Sequence, residues 1–325
     1  MIVPQFWAEA RVQDKTREHQ ITIRRYGWSD SSQEDAQAIA DARASEALRR
    51  ILSGEKIERR EPKVPYNGAD GVPIREEILS RHGDTIITRN SYGARCLNSP
   101  DVLFADIDLP THDSSRIATI IGWLSLLMGI IYGWMHGSFR SGLLLTGVIY
   151  FAAVLVGAIV ERLFPRSDTD ARTRRMRRIH QFSDANPDWH LRIYETPAGF
   201  RVLAMHDTFD PAGDEATRCF RALGTDNIYV RMCANQRCFR ARVSPKPWRI
   251  GISAHMRPRP GVWPVAPERL PLREAWVRDY EQRATGYASC HFITRLGSER
   301  VHPAAEQVAM LHDELSRATS TLPIA

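Results

Sequence analysis

Ile117 to Met135 reads IATIIGWLSLLMGIIYGWM and Ser141 to Val160 reads SGLLLTGVIYFAAVLVGAIV, with no charged residue in either run. Each is close to the roughly 20 helical residues that cross a hydrocarbon layer about 30 Å thick. The residues between them, His136-Gly137-Ser138-Phe139-Arg140, suit a tight turn between antiparallel helices. A helix in a water-soluble core normally keeps one polar stripe. Neither run has one, so the pattern predicts a two-helix transmembrane hairpin over 116–162. Gly129 and Gly133 form a GxxxG pair, and Ala153 and Gly157 a second pair of small residues. Such pairs let helices approach closely in lipid, either within the hairpin or in a homodimer through Gly129/Gly133. Tyr132, Trp134 and Phe139 lie near the turn, where interfacial aromatics are expected.

The flanks set the orientation. Arg162, Arg166, Arg172, Arg174, Arg175, Arg177 and Arg178 follow the second run, whereas the turn carries only Arg140. The positive-inside rule then predicts a multi-pass protein with both termini in the cytosol. The same arginines suit anionic lipid headgroups or a solvated helix face. Met1 to Trp7 has neither a basic stretch nor a sustained apolar run, so no cleaved signal peptide is expected.

A length of 325 residues suggests about two domains. A hydrophobic share of 43% excludes wholesale disorder. The net charge of +6 is modest and arises largely from the arginine cluster, so nucleic acid does not follow from charge alone. Five scattered cysteines, an odd number, read as reduced thiols. Cys233 and Cys238 lack the second pair that a zinc ribbon needs.

Outside the hairpin the pattern is α+β. Residues 1–60 read as a small β-β-α unit: strands at Phe6–Val12 and Gln20–Tyr26, then an Ala-rich helix capped by Ser31 or Ser32 and stopped by Gly54. Glu55–Pro65 reads as a linker. Residues 61–115 with 167–325 then form a discontinuous cytosolic domain. Its elements are a buried strand at Val102–Asp108, a basic helix at Asp170–Asp184, and strands at Leu191–Thr196 and Phe200–His206. A helix at Gly213–Leu223 and a strand at Asn227–Met232 follow. With the hairpin set aside this is βαββαβ, the ferredoxin-like order.

Asp106 and Asp108 are two apart on one strand and share a face. Adjacent carboxylates repel, and a divalent cation relieves that cost, so the pair suggests Mg²⁺ or Mn²⁺. The alternative is that both carboxylates bind backbone N–H groups at a turn. Arg201, Arg240, Arg242, Lys246, Trp248 and Arg249 are candidates to cradle phosphates or stack a base. For the 237–249 stretch the alternative is a packed strand-to-loop segment.

Val102–Asp108 with Thr196–His206 resembles the palm of archaeo-eukaryotic-type primases, in which an hhhDhD strand is followed by a strand ending in His. That resemblance implies metal-bound Asp106 and Asp108 with His206 near nucleotide phosphates. The family's further acidic element is not matched, since neither Asp210 nor Asp226 ends an apolar strand. The DxD also looks like that of GT-A-type glycosyltransferases, but residues 1–100 do not read as their nucleotide-binding βαβ region. No GxSxG, Walker A or GxGxxG motif occurs, so serine-hydrolase, P-loop and Rossmann readings lack their signals. Two expectations follow. One is a membrane-anchored, palm-like domain for a metal and a nucleotide or phosphate ligand, active in nucleotidyl or phosphoryl transfer. The other is a non-catalytic scaffold held at the membrane.

Overall fold

Alanine spacing decides how the chain begins to pack. In the computed structural model, which describes residues 3–15, 20–61, 73–109, 114–163 and 168–325, β1 (Phe6–Lys15) and β2 (Gln20–Ser29) pair as an antiparallel hairpin. Helix α1 (Gln33–Leu52) lies on it through buried Ala36, Ala40, Ala44 and Ala47. The Ser32 hydroxyl accepts from Asp35 N at 3.1 Å and caps the helix. Gly27 makes the close approach possible, since a Cβ there would sit 2.0 Å from the Ala36 carbonyl oxygen. The expected linker is partly tied down: Glu61 pairs with Arg43, and Arg25 donates to the carbonyls of Glu58 and Arg59. The rest of that linker, residues 62–65, lies outside the described residues.

Beyond it come β3 (Glu77–His82), β4 (Thr85–Arg89), β5 (Arg95–Ser99) and β6 (Phe104–Asp108). Helices α2 (Ser114–Met135), α3 (Phe139–Leu163) and α4 (Asp168–Ala185) follow, then β7 (His190–Thr196) and β8 (Gly199–Ala204). The chain ends with α5 (Asp214–Leu223), α6 (Asn227–Gln236), β9 (Phe239–Arg242), α7 (Leu270–Ala284), β10 (His291–Gly297) and α8 (Pro303–Ser316). Two four-stranded antiparallel sheets result, ordered β10-β7-β8-β6 and β3-β4-β5-β9. The fold is therefore mixed α+β with several antiparallel sheets.

The expected order holds through β6, α4, β7, β8 and α5, and then departs. Asn227–Met232 is helical rather than extended, and the fourth strand of its sheet is β10, from much later in the chain. The reason is local. Asp226 accepts from the N–H groups of Ile228 and Tyr229, and the helix buries Tyr229, Met232, Cys233 and Gln236 at i, i+3, i+4 and i+7. A cap and a helical burial pattern outweigh the strand preference of Ile228, Tyr229 and Val230.

Tyr229 also joins the two sheets. Its hydroxyl lies 2.9 Å from the Phe104 carbonyl of β6 and 3.0 Å from the Arg240 carbonyl of β9. It takes the place of a ladder between those strands. Tyr229 is buried, and buried carbonyls need a partner within the protein.

Two compact units emerge: residues 1–108 with 178–325, and residues 109–177. The β-β-α segment thus belongs to the first unit instead of standing apart. Arg75 stacks on both Trp7 (4.8 Å) and Tyr26 (4.0 Å), linking that segment to the residues after it. In the second unit α2 and α3 pack together. A Cβ on Gly129 would meet Thr146 Oγ1 at 1.8 Å, and one on Gly142 would meet Gly133 Cα at 3.1 Å. The Gly129/Gly133 face is met by α3 of the same chain, the first of the two uses expected for it. Among the described residues one stretch, Phe139–Val156, is long and apolar enough to cross a membrane, and the apolar run Thr119–Met135 is shorter.

Replacing Tyr229 by Phe is expected to lower stability by about 1–3 kcal/mol, because the two buried carbonyls that share the single hydroxyl proton lose it. The check is a lower melting temperature in detergent with secondary structure unchanged.

Candidate functional site

Strand alternation buries Ala105 and Ile107 and leaves Asp106 half-buried and Asp108 exposed. Across the ladder Asp106 faces Arg201 of β8. Arg201 is almost fully buried, and its Nε and Nη2 donate to the two Asp106 oxygens at 2.7 and 3.0 Å. Its Nη1 donates to the Arg242 carbonyl at 2.9 Å and lies 3.2 Å from His312 Nε2. Burial disfavours the Arg201 charge, but Asp106 more than offsets this and holds its pKa above the ordinary value. A forked, charge-assisted pair of this kind is strong and directional. Arg201 and Asp106 thus serve each other.

Asp108 has no such partner. Its pKa is raised, first by burial and then by Asp106, with Asp226 adding to the effect and Lys246 and Arg242 opposing it. Lys246, Trp248 and Arg249 reach this neighbourhood from the segment after β9, whose Pro247–Ile250 forms a single 3₁₀ turn. Burial first, then Arg242 and Arg249, lower the Lys246 pKa to about 8, with Asp108 and Asp106 working against them. Lys246 Nζ lies 5.4 Å from the Trp248 ring centroid, and Tyr92 meets the same indole edge-on at 5.3 Å. Trp248 remains 56% exposed. Arg242 Nε and Arg249 Nη1 are buried atoms with no hydrogen-bond partner among the described residues.

The chain therefore brings together Asp106, Asp108, Arg201, Arg242, Lys246, Trp248 and Arg249. Two expected members are elsewhere. Arg240 is buried in its own network, donating to both Glu76 oxygens at 2.7 Å and to Asn98 Oδ1 at 2.9 Å. It is a structural cation and not a phosphate ligand. His206 lies seven residues beyond Gly199, the register partner of Asp108, so at about 3.3 Å per residue it is roughly 20 Å along the sheet. There it packs against Trp189 (4.5 Å) and Phe209 (5.4 Å), and burial lowers its pKa. Trp189 lines a groove of about 430 Å³ between α4 and α5. The expected approach of His206 to the Asp pair is thus corrected: the strand runs the other way.

The donor set does not fit a divalent cation. Both Asp106 oxygens are engaged by Arg201, and among the described residues no three His, Cys, Asp or Glu side chains converge. What converges is positive charge. Arg242, Lys246 and Arg249 outnumber Asp108, and guanidinium N–H groups are left over.

Residues that sequence reading passed over also belong here. One is His312, which α8 delivers to Arg201. Its Nε2 lies 3.8 Å from Cys290 Sγ and its Nδ1 3.1 Å from Asp313 Oδ1. Burial opposes ionisation of Cys290, but His312 and Arg201 prevail and hold the thiol below its ordinary value. Both Cys290 and His312 are completely enclosed, so this pair is interior scaffolding for Arg201. Tyr92 came from a turn-rich segment, and only its ring against Trp248 marks it.

No protein-family model, curated protein or solved structure matches this chain.

Asp106→Asn is expected to cost about 3 kcal/mol, because it leaves a buried guanidinium uncompensated. Asp108→Asn should change stability by less than about 0.5 kcal/mol, as for an exposed side chain without a close partner. Thermal unfolding of the two variants checks this asymmetry. A shared metal would instead make both variants lose a Mn²⁺-dependent rise in melting temperature.

Proposed function

We infer that this is a membrane-anchored protein whose α+β unit binds a phosphate-bearing anion between Arg242, Lys246 and Arg249. The convergence of these three cations around one unpaired carboxylate, with two buried guanidinium N–H groups unpartnered, is the observation that supports the reading. An oxyanion supplies acceptors for such donors, and each charge-assisted bond is stronger than a neutral one. Trp248, exposed beside the cations, offers a surface for a ring in the same ligand.

The anchor is the α2–α3 hairpin, crossing twice with both termini in the cytosol. In support, Trp123, Leu127, Ile130, Leu143, Phe151 and Leu155 all point outward with half or more of their surface uncovered. Each would forfeit about 1.5–3 kcal/mol of transfer free energy if left in water. Arg172, Arg174, Arg175 and Arg177 follow on the cytosolic side in this arrangement, whereas Arg166 lies outside the described residues.

A scaffold role is the second reading. It is favoured by the local satisfaction of Asp106 and Arg201, because a pair that neutralises itself needs no metal.

Full-length protein in detergent should melt higher in millimolar inorganic phosphate or pyrophosphate, since a ligand bound only to the folded state stabilises by RT ln(1 + [L]/Kd). The Arg242→Ala/Arg249→Ala double variant should lose that rise. A scaffold would show none in either protein.

The pH dependence has a definite sign. A lysine with its pKa lowered to about 8 is cationic below that value and neutral above it. Phosphate stabilisation is therefore expected to fall between about pH 7.5 and 9. Lys246→Arg, which stays charged, should flatten that fall. Carbonate washing of membranes should leave the protein in the pellet.

A further inference from the structure

Lysine is rare here. Of 44 basic residues 40 are Arg, and the four lysines are Lys15, Lys56, Lys63 and Lys246. For holding an oxyanion Arg is the better side chain, because its planar fork binds bidentately and keeps its proton. A chain that otherwise uses Arg has placed its last Lys between Arg242 and Arg249. What Lys supplies and Arg cannot is an amine able to shed its proton and act as a nucleophile.

The surroundings favour that form. Lys246 is half-buried, its Nζ lies over the Trp248 ring, and the flanking guanidiniums of Arg242 and Arg249 penalise a third positive charge. With the pKa lowered to about 8, roughly a fifth of the amine is neutral near pH 7.4, against roughly a thousandth for an ordinary lysine. Asp108 is the exposed carboxyl acting on it from β6, and its own pKa is raised by burial and by Asp106. It therefore keeps a proton to higher pH than a free aspartate.

We propose that Lys246 is an imine-forming lysine and that the site takes a phosphorylated aldehyde or ketone, its phosphate held by Arg242 and Arg249 while its carbonyl carbon meets Nζ. This rests on the anion-site reading above. The amine lone pair adds to the carbonyl carbon and the carbonyl oxygen takes up a proton, giving a carbinolamine. The nitrogen then loses a proton, the hydroxyl is protonated by Asp108 and leaves as water, and a C=N bond forms. One water is released and no oxidant or reductant is needed. Trp248 lies beside Nζ, its ring centroid 5.4 Å away.

The test uses full-length protein in detergent with pyridoxal 5′-phosphate as a phosphorylated aldehyde probe and pyridoxal as its phosphate-free control. Imines are fixed by borohydride and mapped by peptide mass spectrometry. The expected result is labelling of Lys246 at least tenfold faster than of Lys15, Lys56 or Lys63. Labelling should require the probe's phosphate and be suppressed by inorganic phosphate. Asp108→Asn should slow it several-fold, and Lys246→Arg should leave only background labelling.

Lys246 labelled no faster than the other three lysines, or equally by pyridoxal, overturns the proposal. If that happens while inorganic phosphate still raises the wild-type melting temperature, the imine inference fails and the anion site stands. If phosphate has no effect either, both fall. Selective labelling together with a phosphate-dependent rise supports both.

Discussion

A guanidinium cannot lie inside a protein without a partner, and Arg201 is enclosed on every side. Its fork takes both oxygens of Asp106, which fixes β8 against β6. Its remaining nitrogen reaches the Arg242 carbonyl at the end of β9 and the His312 ring on α8. One side chain therefore ties two sheets and the C-terminal helix to a single point. The cost of burying a charge is several kcal/mol, and that cost makes the arrangement specific, because few other geometries would satisfy all its donors.

The cationic cluster is a consequence of this tie. With Asp106 paired to Arg201, the cations Arg242, Lys246 and Arg249 outnumber the acids left beside them, Asp108 and Asp226. Had Arg201 been apolar, the two carboxylates would have shared the site and invited a metal. The chemistry of the region is thus decided by a residue that touches no ligand itself. Tyr229 supports the same geometry from below, spanning β6 and β9 where no ladder forms.

The hairpin obeys a different constraint. On the proposed membrane reading, backbone groups in lipid must be paired within their own segment, which favours helix for an apolar chain of this length. Between the helices Gly129, Gly133 and Gly142 remove side-chain bulk and let the backbones approach. Outward, the large apolar side chains are left to the surroundings.

Much of this was legible along the chain. The β-β-α start, α4, strands β7 and β8 and the Ser32 cap of α1 follow from spacing and capping, which act over a few residues. Strands β3, β4, β5 and β9 were not read, because short half-polar segments gain their structure from partners up to 196 positions away, as Glu77 does from Arg273. The Asn227–Met232 segment misled because β-branched and aromatic residues favour strands, while the Asp226 cap and the face buried by Tyr229 favour a helix.

By itself the sequence determined the apolar hairpin, the reduced cysteines' scatter and the set of charged residues available for a site, since composition and local periodicity are properties of the chain. Only the tertiary structure decided which charges meet. It gave Asp106 to Arg201, gave Arg240 to Glu76, sent His206 to the far end of the sheet, and left Lys246 among arginines. The physical reason is that ion pairing depends on distance through space, and strand direction and register set that distance.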